Sequence, residues 1–232
     1  MSRRRRKKEA ASRAPRPARS ATRAVSLTIE ALEISRGFDG LLRGAPEPVL
    51  LVGLYEVRPN LEICVLGRRV LRFSVDEKIP GSFVPRREPG SREKYVHRLT
   101  EGHVVAIVVL AIEEDAGTGL ALLHAALEAP DALTFWEADS AIPNVRELPS
   151  LFAEAKGRDE GPSLAPAHVL VGGLDVGKSC EGDDYVGAAV GSALVSANAH
   201  ATFGARFLTP DGRNDWKVRL TFSSGALGAA LR

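Results

Sequence analysis

The chain has 232 residues, 44% of them hydrophobic and 26% charged, with a formal net charge of +2. These figures exclude a wholly disordered chain, and two cysteines, Cys64 and Cys180, exclude a disulfide-stapled miniprotein. The charge is unevenly divided, because residues 1–24 carry +9 and the rest of the chain −7.

The first segment holds ten cations, Arg3, Arg4, Arg5, Arg6, Lys7, Lys8, Arg13, Arg16, Arg19 and Arg23, and after Met1 no aromatic residue and no Val, Leu or Ile. It has nothing to bury against its ordering entropy, so residues 1–24 read as a disordered basic arm suited to a polyanion. No apolar run follows the arginines as in a secretory signal, and Pro15 and Pro17 interrupt any amphipathic transit helix. Cytoplasmic residence is the expectation.

The body, residues 25–232, opens with alternating apolar residues over 25–34, a half-buried strand. A second strand is predicted over 49–57. Residues 61–75 read as a hairpin turning at Gly67 and Arg68, and 76–102 as a long surface loop rich in proline and charge, with at most short strands. Nine apolar residues over 104–112 predict a central buried strand, too short for a bilayer. The spacing of Leu120, Leu123, Ala126 and Leu127 predicts a helix, with a second over 149–156, so residues 117–160 form a helical insertion. Strand texture returns over 167–171, 201–208 and 216–222, the last two joined by a turn-rich connection over 209–215. About eight strands in a single domain predict a mainly β fold, an antiparallel β-sandwich.

Two motifs overlap in the segment that follows residue 171. Gly172, Gly177, Lys178 and Ser179 fit the spacing of a phosphate-binding loop, in which glycine amides wrap the phosphates and the lysine neutralises them. The context opposes it: the glycines and adjacent aspartates of 180–187 are a poor helix start, and their carboxylates would repel phosphate.

The same segment, with Asp183-Asp184-Tyr185-Val186-Gly187, resembles a loop of the C2 domain family. Residues 27–34 are similar to that family's first strand, and Glu47-Pro48-Val49 to the Asp-Pro entry into its second. The resemblance implies an eight-stranded sandwich with Asp39, Glu47, Asp175, Asp183 and Asp184 as Ca²⁺ ligands at one end, and Ca²⁺ bridging to anionic lipid. Ca²⁺ takes six to eight hard oxygens, which such loops supply. Gly177 stands where a further loop aspartate is expected.

Elsewhere the sequence offers little chemistry. The five histidines fall in no short metal spacing, Glu113-Glu114-Asp115 reads as a solvated strand end, and Trp136 and Trp216 as core or rim residues. The functional expectation is a non-catalytic binding or assembly module that engages an anionic partner, a membrane surface or another polyanion, through its arm. A second reading is a coat-like protein that binds nucleic acid with the arm and forms homo-oligomers. A nucleotide-binding protein is the third.

Overall fold

A computed structural model of the protein describes residues 21–37, 46–60, 62–75, 79–86, 94–114, 119–128, 133–137, 140–142, 165–171, 174–175, 184–209 and 211–226. The expected helix over 149–156 and most of the arm lie outside these residues. Strands dominate, in two antiparallel sheets, as the alternating sequence requires.

The smaller sheet runs β12 (Ala199–Leu208), β13 (Asp215–Gly225), β1 (Thr22–Arg36), β4 (Gly81–Phe83), with β5 (Lys94–Thr100) also on β1. β1 is long enough to hold both short strands: Thr22 to Thr28 pair with β5, and Leu32 to Ile34 with β4. A bulge at Glu30 separates the two stretches and accounts for the slip in alternation near Ala31. β4, of three residues, and β5, of seven, are the strands within the loop expected over 76–102, where at most short ones were expected.

The larger sheet has the order β3 (Ile63–Arg72), β2 (Pro48–Val57), β6 (Val104–Glu113), β11 (Asp184–Leu194), β9 (Ala165–Val171), β7 (Leu133–Glu137), β8 (Ser140–Ile142), with β10 (Leu174–Asp175) on β9. The hairpin expected over 61–75 is instead one edge strand. Leu54 faces Gly67 while Tyr55 faces Val65, so Leu66 is a bulge, and Gly67 relieves the register without reversing the chain. Among the described residues thirteen strands stand against about eight expected: β4 and β5 lie within 76–102, β7 and β8 within the insertion, and β10 and β11 after residue 171, while the expected hairpin is one strand.

β2 and β6 are buried on both faces, which is why they read as unbroken apolar runs. Leu50, Val52, Leu54, Val105, Ile107 and Val109 pack inward against Leu27, Ile34, Phe203, Trp216, Val218 and Phe222 of the smaller sheet. Their alternates Val49, Leu51, Tyr55, Val108 and Leu110 face outward and are covered by helix α1 (Gly119–Ala126) through Leu120, Leu123, Ala126 and the following Leu127. The helix thus makes a third layer on the sandwich. The Tyr55 hydroxyl donates to the Leu127 carbonyl at 2.8 Å, and Arg68 donates to the His124 carbonyl, so two end carbonyls of the helix are satisfied from the sheet. Burial raises the Tyr55 phenol well above its ordinary pKa.

The hairpin between β12 and β13 follows the predicted turn chemistry. Gly212 adopts φ 70°, its amide donates to the Thr209 carbonyl at 2.8 Å, and the Thr209 hydroxyl accepts from the Asn214 amide at 3.0 Å.

His97, half-buried on β5, is held below its ordinary pKa by burial and by Arg69. The unfolded chain therefore binds this proton more readily, and stability is lost as the pH falls below about 6.5 toward the folded-state value. Urea unfolding at a series of pH values between 8 and 5 is expected to show this decline, and a smaller one in His97→Gln.

Candidate functional site

The strands bring their ends together at two poles. At one, β1 begins, and the turn from β5 to β6 meets the end of β11: Glu101 N donates to Ala21 O, and Gly102 N to Val195 O. At the other, Gly37 abuts Pro46, β2 and β11 begin, and β6 ends. β1 is 15 residues long, so the poles lie about 50 Å apart along that strand.

The first pole fixes the root of the arm. Arg23, expected among the arm's cations, lies in β1 and is paired to Glu101, with Nε and Nη2 at 3.0 and 2.7 Å from Oε2. Thr22, Arg23 and Ala24, expected in the arm, thus lie in β1, and Arg23 is a strut of the sandwich. The other nine cations, Arg3 to Arg19, lie outside the described residues. Beside this strut, Glu56 on β2 accepts from Arg58 and meets His103 Nδ1 at 2.7 Å.

The second pole carries two of the acidic residues singled out from the sequence, Glu47 and Asp184. Pro48 and Asp184 pair on either side of Glu113, so Glu47 and the start of β11 converge on the end of β6. Asp175 lies on β10, paired to Leu170, while Asp39 and Asp183 lie outside the described residues. Glu113 is fully buried, and its Oε1 accepts from the Glu47 amide at 3.3 Å. Glu114 receives Nε and Nη2 of Arg72, both at 2.9 Å. The solvated strand end predicted for this pair is corrected: one carboxylate is inside the protein and the other is neutralised by an arginine from the neighbouring sheet edge. Arg72 stands 42 residues away in sequence, and nothing local signals it.

Ca²⁺ needs several carboxylate oxygens free to converge. Among the described residues no three acidic, histidine or cysteine side chains come together to hold a metal ion. Both carboxylates that the fold adds here are already engaged, by an amide and by a guanidinium.

The phosphate-loop residues Gly172, Gly177, Lys178 and Ser179 lie outside the described residues. The flanking elements are strands: β9 before them, β10 turning back on β9 within the motif, and β11 from Asp184.

A cleft of about 230 Å³ opens at this second pole, lined by Glu47, Pro48, Arg72, Ser74, Arg86 and Glu114 among others. Arg86 donates through its amide to Arg72 O at 2.7 Å and through Nε to Ser74 Oγ at 2.9 Å. The amide hydrogen bond and the bridge between Phe73 and Pro85, both of backbone, join the two sheets along one side.

No helix of the described residues is long and apolar enough to cross a membrane. No protein-family model, curated protein or solved structure matches the chain.

Proposed function

We propose that the protein is a binding module, a β-sandwich that presents a basic N-terminal arm to a polyanion. The observation that carries this reading is the distribution of charge about Thr22. Nine cations and one acid precede the first strand, whereas Arg23, the last cation of the basic segment, is consumed by Glu101.

The anchorage supports it mechanically. β1 is paired on both sides, and Arg23 ties its first turn of chain to the β5–β6 connection, so force on the arm is delivered to the middle of a sheet. The acidic pole lies at the far end of β1, which favours contact through the arm alone. This separation counts against the C2-like arrangement, in which Ca²⁺-bearing loops and arm would press on one lipid surface; the shared pole of Glu47 and Asp184 is what remains in its favour. Each cation near an anionic surface is worth about 1 kcal/mol, and nucleic acid would add salt dependence through released counterions.

The test is binding of the full chain to vesicles containing phosphatidylserine and, separately, to a random single-stranded RNA, at rising salt and with or without Ca²⁺. Binding to one of these that weakens steeply with salt and ignores Ca²⁺ supports the reading. A Ca²⁺ requirement, or no binding to either, removes it.

A further inference from the structure

The cleft at the second pole holds two charges of opposite sign that do not meet each other. Arg86 spends its amide and Nε on Arg72 O and Ser74 Oγ, and no ion pair involves its two Nη groups among the described residues. Glu47 is exposed, and its carboxylate likewise has no ion pair there. The other charges that line the cleft are paired with each other, since both Glu114 oxygens accept from Arg72.

Both groups stand on fixed backbone. Glu47 O accepts from the Glu114 amide at 3.0 Å and its own amide donates to Glu113, while Arg86 is held by its amide hydrogen bond to Arg72 O. Pro48 and Val75 contribute apolar wall. At about 230 Å³ the cleft falls below the roughly 300–1,000 Å³ of sites for drug-sized ligands, so its occupant is the size of an amino acid.

We propose that this cleft binds a small zwitterion, an amino-carboxylate whose carboxylate rests on the Nη groups of Arg86 and whose ammonium faces Glu47. Both groups line the one cleft, so a lone anion gains from Arg86 alone and a lone cation from Glu47 alone. Only a ligand with both charges gains from both groups.

Calorimetric titration of the full chain with glycine, β-alanine and γ-aminobutyrate tests this, with butyrate and butylammonium as singly charged controls. One of the amino-carboxylates is expected to bind at least about tenfold tighter than either control, since a hydrogen bond to a charged group is worth about 1.5–3 kcal/mol. Arg86→Gln and Glu47→Gln, both at exposed positions, are each expected to weaken that ligand by about tenfold or more while the melting temperature holds. The proposal is overturned if a control binds as tightly as every amino-carboxylate, if none binds, or if affinity survives both substitutions.

Discussion

Replacing Trp216 by alanine is expected to destabilise the protein by about 3–5 kcal/mol, the range for truncating a large buried aromatic. Trp216 is fully buried on β13, between Phe207 of β12 and Ile34 of β1 in the register of the smaller sheet. Neighbours on three strands are committed to rigid pairing, so the cavity cannot close by collapse. Domains are stable by about 5–15 kcal/mol in all, so the loss is a large share of the total. Its indole N–H is buried without an acceptor among the described residues. Trp216→Phe removes that orphan donor along with some volume and is expected to cost much less, about 1 kcal/mol. Urea unfolding followed by circular dichroism measures both; equal losses would show that the indole is held by a bond the packing account omits.

The second large effect is expected at Gly53. A Cβ built there would lie 2.6 Å from the Tyr55 hydroxyl oxygen and 3.0 Å from two of its ring carbons. Tyr55 is fully buried, and its hydroxyl bond to Leu127 O ties α1 to the sheet. Gly53→Ala must push the ring aside, adding overpacking strain to the loss of a buried hydrogen bond, about 3 kcal/mol together. In a Tyr55→Leu background the same alanine meets no ring, and its cost is expected to fall below about 1 kcal/mol. A double-mutant cycle reads this coupling directly. Additive losses would contradict the contact.

These two positions show how the sequence encodes the fold. Trp216 stands in the last strand, where alternation is almost strict, and its place in the core was legible from the period of two. Gly53 interrupts an apolar run, and its neighbour Tyr55 alone hints that the gap is filled from two residues away. β2 and β6 were legible because burial on both faces leaves an unbroken apolar run. β11 was not, because its Gly-Ala-Ala-Val-Gly-Ser-Ala core has weak strand propensity and is held by long pairing with β6. β3 reads as a hairpin because its bulge shifts the alternation in the middle, as a turn would.

The candidate sites divide the same way. The arm is visible in composition, since a dense run of arginine needs no tertiary context. That Arg23 belongs to a strand is not, because its partner Glu101 stands 78 residues away in sequence. The burial of Glu113 and the pairing of Arg72 with Glu114 depend equally on strand neighbours distant in sequence. The opposed charges of Arg86 and Glu47 share a cleft only because β3 and the segment after β4 close the side of the sandwich.

The claim that the cations before Thr22 make the functional contact is tested most directly by two full-length variants. In one, Arg3, Arg4, Arg5, Arg6, Lys7 and Lys8 are all replaced by glutamine; in the other, Arg23 alone is. With the polyanion that the full chain binds, the account predicts that the first variant loses most of its affinity and salt dependence while unfolding as the parent does. Arg23→Gln is expected to keep the affinity and unfold more easily, because it breaks a strut and not a contact. Undiminished binding by the six-residue variant, or binding lost only with Arg23, would contradict the account.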